Sequence, residues 1–492
     1  MTAGSVRPDS RTPWRRAAHL TLLALFIVWV ALAVFHRYKP LPEGIGVSMP
    51  ERPTGAVTFL ADYTWSEASG EREVDQQIFD RVLERIRGAR RLIVLDMFLF
   101  NDFAGSANGD DMRRLSDEVE QALLERRRTS PEVRIVLITD PINHLYGGVY
   151  SERLERLRRA GVHVVVTRLS RLRDSSPAWS GLWRLCCQWA GNSPRGGWLP
   201  NPVGLGEVSL RTWLSLLNFK ANHRKTLVAD APEGWVGLVT SGNPHDASSA
   251  HGNVALEFVG PAALDLLVTE RAVAAFSGTG LAGLPEPPPP AHHVLPGDGR
   301  LQVLTEAAIR DAALNAIEKA RTGDRVDLAI FYLAHRGVIR SLKRAAARGA
   351  MVRVLLDPNR DAFGKEKDGI PNRPVARELV DHGVEVRWCN THGEQCHSKF
   401  LQVVHDDGQG ELIAGSANFT RRNLDDLNLE TSVRLTGPVE LPVLAAAAVY
   451  FERRWSNTPG RTYSLPYDAF AEDSALRYWR YRLMEFSGLS TF

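Results

Sequence analysis

The chain of 492 residues writes one order of strands and helices twice, and each copy closes on the same short pattern. In the first copy, residues 91–98 form an apolar β-rich run. An amphipathic stretch follows from about Asp111 to Arg128, then a buried run at 133–138 that ends in Asp140-Pro141. A helix is predicted over 151–160 and a strand over 161–166. The second copy repeats the sequence: a strand at 326–333, a helix at 337–348, a strand at 352–356 ending in Asp357-Pro358, a helix at 374–382 and a strand at 383–387. Strands alternating with helices of 10–15 residues imply α/β layering with a largely parallel sheet. Uninterrupted apolar strands such as 135–138 fit a sheet covered on both faces.

Each copy then reaches His-x-Lys. His223-Arg224-Lys225 lies in the first and His397-Ser398-Lys399, 174 residues later, in the second. Each is followed by a small-residue turn ending in Asn: Thr240-Ser241-Gly242-Asn243 and Gly415-Ser416-Ala417-Asn418. One His-x-Lys is commonplace. Two, each in the same strand context and each with its own turn, are not. An imidazole beside a cation, presented twice, suits displacement at an anionic phosphodiester: one ring can attack, the other can move a proton, and the ammonium groups can neutralise oxygens.

These motifs resemble the phospholipase D superfamily, whose signature is His-x-Lys-x4-Asp followed by Gly-Ser-x-Asn. The Asn222-His223-Arg224-Lys225 form is similar to bacterial cardiolipin synthases, and the resemblance runs over roughly residues 56–455. It implies two α/β/α domains related by pseudo-twofold symmetry. It also implies a phosphatidyltransferase acting on phospholipids through a phosphohistidine, with a phospholipase D yielding phosphatidic acid as the alternative and a nuclease as a third reading. The catalytic residues it implies are His223 as nucleophile, His397 as acid and base, Lys225, Lys399 and Asp230. Ser241, Asn243, Ser416 and Asn418 are expected on the phosphate. Glu257 and Glu430, which follow the two Asn residues at similar distances, are expected to orient the rings. Asp230 completes the first signature, whereas Val404 stands at its counterpart. No metal site and no cofactor are expected, and His245, His251, His292, His293 and His335 read as loop or surface residues.

Residues 17–35 form an apolar run long enough to cross a hydrocarbon core of about 30 Å. Arg7, Arg11, Arg15 and Arg16 precede it, which favours an inside N-terminus and catalytic domains on the non-cytoplasmic, periplasmic side. A cleaved signal peptide, with Ala31-Leu32-Ala33 as its site, is the other reading. The expected organisation is a tail over 1–16, a transmembrane anchor over 17–36 and a linker over 37–55. A first domain over 56–283, a proline-rich linker over 284–299 and a second domain over 300–492 with a C-terminal helix follow. The first domain carries about 43 residues that the second lacks, a Trp- and Arg-rich insertion at about 170–220, which suits either a membrane interface or an aromatic subdomain core. The net charge of +3 lacks the basic excess of a duplex-binding protein, so no nucleic-acid partner is expected. Cys389 and Cys396 flank the loop before His397 and are either a disulfide or two half-buried thiols.

Overall fold

The structure, a computed structural model, describes residues 12–67, 69–103, 112–204, 206–289, 299–362, 365–490 and 492. Most of the N-terminal tail with Arg7 and Arg11, Asp111, His292, His293 and the centre of the proline-rich linker lie outside the described residues.

The main sheet of the first half has seven strands, β1 (Val57–Ala61), β2 (Leu92–Met97), β3 (Arg134–Thr139), β4 (His163–Val166), β5 (Lys225–Ala231), β6 (Gly234–Thr240) and β7 (Val254–Val259), in the spatial order β1-β7-β6-β5-β2-β3-β4. The second half builds β8 (Arg300–Thr305), β9 (Arg325–Ile330), β10 (Met351–Leu356), β11 (Glu385–Cys389), β12 (Lys399–Val404), β13 (Gln409–Gly415) and β14 (Thr431–Pro438), in the order β8-β14-β13-β12-β9-β10-β11. The two orders are the same. The second sheet also gains short edge strands at Arg52–Pro53 and Ser464–Pro466.

The sheets are mixed, not largely parallel as the alternation of strands and helices suggested. Only the strands joined through helices run parallel, β2-β3-β4 and β9-β10-β11. The His-x-Lys strands turn back through tight hairpins and pair antiparallel on both sides, because a short hairpin can join only antiparallel neighbours.

Side chains of one strand alternate between two cores. Val228 of β5 points into a layer between the two sheets, with Leu256 and Phe258 of the first half and Phe400, Leu412 and Val433 of the second. Its neighbours Leu227 and Ala229 point the other way, under helices Ile78–Gly88 and Leu115–Thr129. The second sheet has its own outer core, with Leu401 and Val403 beneath helices Ala307–Lys319 and Arg336–Ala347. The sheet-to-sheet layer fixes the halves against each other, so the ends of β5 and β12 stay in register.

Helix α1 (Thr12–Tyr38) is the one described helix long and apolar enough to cross a membrane. It is docked on the insertion, which folds as α2 (Pro177–Cys186) and α3 (Leu210–Leu216). The Trp29 indole donates to Ala178 O at 2.8 Å. Gly181 permits the approach, since a Cβ there would lie 3.1 Å from the Trp29 ring. Lys39 donates to Ser170 O and Arg173 to Lys39 O, both at 2.8 Å. Within the insertion Trp179 donates to Leu214 O and Arg211 lies over Trp183, while Trp189 and Trp198 are exposed. The tryptophans therefore divide between half-buried positions and an open face. The C-terminal helix α4 (Ala475–Ser487) buries Tyr481 and leaves Leu476, Trp479, Leu483 and Phe486 exposed on its other side. Cys389 and Cys396 are disulfide-bonded.

Candidate active site

His223 sits where the chain enters β5, and His397 where it enters β12. Both arrivals are fixed by a buried aspartate at the end of the second parallel strand. Asp140 accepts the N–H of Asn222 and Asp357 accepts the N–H of Cys396, each at 2.7 Å. Burial raises both carboxyls to about 7. These are the acids of the two Asp-Pro pairs, visible in the sequence as strand ends but given no role there.

Each imidazole is held by a side chain from the opposite half. Glu430 lies 2.8 Å from His223 Nδ1. Asn253 Oδ1 lies 3.2 Å from His397 Nδ1. Asn253 Nδ2 donates to His251 O, so its oxygen is the atom that faces the ring and His397 carries its proton on Nδ1. In both rings Nε2 is left for the cavity that His223 and His397 line together. The backbone repeats the exchange: His223 N donates to Leu429 O at 2.9 Å and Gly252 N to Gln395 O at 3.1 Å.

The surroundings match ring for ring. Phe98 lies 4.9 Å from His223 and Phe331 5.1 Å from His397, both inclined at 58°. Lys225 Nζ lies 5.1 Å over the Phe98 ring and Lys399 Nζ 5.3 Å over that of Phe331. Each ammonium donates to the carbonyl of its own histidine, at 2.5 and 2.7 Å. Burial depresses Lys225 to about 7, although Glu430, Asp96 and Asp140 act the other way. Burial and then Lys225 push Lys399 well down. Burial lowers His223 to about 4 against the pull of Glu430, and burial with Lys399 lowers His397 well below the ordinary range. Burial alone would raise Glu430, but His223 and Lys225 hold it below its usual value. Two lysines and two imidazoles, all with pKa values lowered by burial and all but Lys225 also by neighbouring cations, suit an anion: a phosphodiester among them would favour their charged forms.

The two turns act differently from the sequence expectation. Ser241 Oγ donates to Asn253 Oδ1 at 3.1 Å and Ser416 Oγ to Glu430 Oε2 at 2.5 Å. The same oxygens accept the N–H groups of Val254 and Thr431, each at 3.0 Å. The serines thus hold the residues that hold the rings, and are not spare donors for a phosphate. Asn243 and Asn418 do line the cavity.

Glu257 is not beside a histidine. It pairs with Leu238 inside the sheet and is engaged by Arg85 at 2.8 and 3.0 Å. Asn253 occupies the post that Glu257 was expected to fill. Asp230 lies at the far end of β5, about 17 Å along the strand from Lys225 at about 3.3 Å per residue. It accepts the N–H groups of Arg90, Arg91 and Leu92 and so secures the turn into β2. At the second copy Asp324, in the turn before β9, does this work from the opposite side: it accepts Arg321 N and Asp406 N and binds His405. The acid has changed strands, which accounts for Val404.

His245, His251 and His335 are buried rather than on the surface. His251 lies 5.8 Å from the His397 ring and accepts Gln395 N through Nδ1, while His335 caps helix Arg336–Ala347. Nothing in the spacing of these histidines marks them.

The cavity above the rings holds about 390 Å³. Its floor is polar. Its far wall is apolar and comes from the insertion and the C-terminus: Val203, Trp213, Leu216, Leu217, Phe219 and Phe492.

Two halves with one strand order, closing around a doubled His-x-Lys site, define a class of enzyme that works at phosphodiesters. Residues 313–455 match the family model described as cardiolipin synthase, PLD-like domain. The fold is similar to that of phosphatidylserine synthase from Haemophilus influenzae Rd KW20, with a TM-score of 0.56 and 10% identity over 89% of this chain and 94% of that one. Nuc of Salmonella typhimurium, a phospholipase D family member, aligns with 34% of this chain and 97% of its own at 19% identity and a TM-score of 0.25. No curated protein matches in sequence. Residues 313–455 thus carry a phospholipase D-like domain of the phosphodiesterase and transferase class, and the chain as a whole has the fold seen in the phosphatidylserine synthase.

Proposed function

We propose that the protein is a membrane-anchored phosphatidyltransferase of the cardiolipin synthase type. The observation that carries this reading is the reciprocal hold on the two rings, each oriented by the opposite half at one cavity.

His223 is the nucleophile. Its Nε2 attacks phosphorus as the bond to the leaving glycerol oxygen breaks, and positive charge grows on a ring whose Nδ1–H is already given to Glu430. His397, protonated when the anionic ester enters, gives its Nε2 proton to that oxygen. An acceptor hydroxyl then returns a proton to His397 Nε2, its oxygen attacks phosphorus, and the P–N bond breaks. Lys225 and Lys399 carry the charge of the phosphoryl oxygens through both steps, and Asn243 and Asn418 contact the same oxygens. Helix α1 is the anchor, with both halves on the non-cytoplasmic side. The Cys389–Cys396 disulfide fits that compartment.

The apolar wall of the cavity supports a lipid over a polynucleotide. Hydrolysis by the same residues, to phosphatidic acid, is the second reading, favoured if water reaches the intermediate faster than a lipid hydroxyl. Purified protein given labelled phosphatidylglycerol should yield cardiolipin and glycerol. Phosphatidic acid and glycerol would support the hydrolase, and cleavage of single-stranded DNA with no lipid turnover would overturn the lipid reading.

A further inference from the structure

An apolar groove of about 960 Å³ runs between α1 and α2. Leu25, Phe26 and Trp29 form one wall and Trp179, Leu182 and Leu185 the other. Its inner end is closed by Leu217 and Phe219, and these two residues also line the cavity above His223 and His397. The C-terminal segment follows the same course, with Leu489 in the groove and Phe492 in the cavity. The groove and the site therefore share two lining side chains, Leu217 and Phe219.

The groove is held open by specific contacts. The Trp29 indole bond to Ala178 O and the glycine at 181 fix the spacing of the two helices. On the outside, Leu20, Leu23 and Ile27 of α1, Leu182 of α2 and Trp189 and Trp198 beyond it are exposed. The exposed stripe of α4, Leu476, Trp479, Leu483 and Phe486, recurs at helical spacing and ends beside Leu489. Exposed apolar surface of this extent, with tryptophans at its border, suits an interface between hydrocarbon and headgroups.

We infer that the groove between α1 and α2 takes the acyl chains of a diacyl phospholipid straight from the bilayer, with Leu217 and Phe219 as the threshold between chains and headgroup. The inference rests on the phosphatidyl-transfer reading and on α1 crossing the membrane. A lipid whose phosphorus lies between the two rings still carries its chains. An apolar channel joined to the site spares them exposure to water. On this arrangement α1 is one side of the substrate site as well as an anchor.

The test reads acyl position separately from turnover. Full-length protein in phosphatidylcholine vesicles is given a trace of phosphatidylglycerol with a diazirine near the end of one chain, then irradiated, and the labelled peptides are mapped. Label should fall on 178–186 and on 214–219, the segment that lines both the groove and the cavity. Leu182→Arg, at a half-exposed position, should lower labelling of 214–219 several-fold while labelling of Leu20 and Leu23 persists and reports an inserted fold. Label confined to the outer face of α1, or labelling of 214–219 indifferent to Leu182→Arg, would overturn the route. Products are read on the same vesicles. Turnover without label at 214–219 refutes the route and leaves the reaction standing, whereas label there without turnover upholds the route and refutes the reaction.

Discussion

At the first motif a carboxylate holds the imidazole, and at the second an amide does. Almost everything else about the two sites is paired: the phenylalanine against each ring, the lysine over each phenylalanine, the aspartate that fixes each arriving strand, the serine that braces each orienting side chain. A difference confined to one position in so regular an arrangement points to a division of labour. Glu430 can balance positive charge that stays on His223 while phosphorus is bound to it. Asn253 fixes the orientation and tautomer of His397 but adds no charge, so that ring gains a proton only when an anion is present and releases it readily. On the proposed mechanism the contrast suits a nucleophile in the first copy and a proton carrier in the second.

The largest effect should come from removing either ring. His223→Ala and His397→Ala should each lower kcat by about 10³-fold or more, because neither half contains both a nucleophile and an acid. A quench after long incubation with labelled lipid should trap covalent phosphate on the His397→Ala protein, formed slowly without its acid, and none on His223→Ala. Label on the reverse variant would exchange the roles and break the comparison.

Glu430→Gln should lower kcat by about 10²-fold while leaving the position of the ring unchanged. It has a second signature. Glu430 raises the His223 pKa against burial, so its loss moves that pKa further down from about 4. The attacking ring must be neutral, so the acid limb of kcat/KM, which reports the free enzyme, should move to lower pH. An unmoved acid limb would detach Glu430 from the nucleophile.

Asn253→Asp makes the second site chemically like the first. A carboxylate at His397 Nδ1 favours the protonated ring, opposing the depression caused by burial and Lys399. The form that gives up a proton then survives to higher pH, so the alkaline limb of kcat should move upward while kcat at its optimum falls by about tenfold at most. A shift of the acid limb instead would mean that His397 is the attacking group.

The repeated succession of strands and helices, and two His-x-Lys motifs that the fold brings to one cavity, were legible because each rests on local pattern: apolar strands between helices, and a motif repeated in one context. The orienting pair was not. Glu430 follows Asn418 by twelve residues, whereas Asn253 follows Asn243 by ten and Glu257 by fourteen, so looking for an acid at a similar distance selects Glu257 beside Glu430. Only the pairing of Ser241 N with Val254 O and of Ser416 N with Thr431 O shows which residues occupy one post. Glu257 faces helix Ile78–Gly88, where Arg85 takes it, and no spacing in one sequence reveals that partner. The mixed sheet was missed for a related reason. Alternation of strands and helices describes the part of each half that crosses over, while the two-residue hairpin after β5 reverses the part that carries the motif. The apolar wall of the cavity was foreshadowed by the Trp-rich insertion, but its contact with α1 depends on Gly181 and Trp29, which lie far apart in the chain.

The smallest effect tests the point at which the two copies depart from each other in sequence. Asp230 belongs to the signature, yet it holds backbone N–H groups at the end of β5 that faces away from the rings. Asp324 performs the same service in the second half from the turn before the neighbouring strand. Asp230→Asn and Asp324→Asn should therefore behave alike: each should cost about 1–2 kcal/mol of stability in denaturant unfolding, and each should leave kcat within about twofold. Burial pushes the Asp324 carboxyl up, but His405 and the two N–H groups hold it below its ordinary value. Its contribution is thus present above the ordinary carboxylate pKa and fades as pH falls through the lower folded-state value, so the wild type and Asp324→Asn should converge in stability in acid. A large loss of kcat in Asp230→Asn alone would restore a catalytic asymmetry between the copies that Val404 had suggested. Equal, small losses would confine that asymmetry to Glu430 and Asn253.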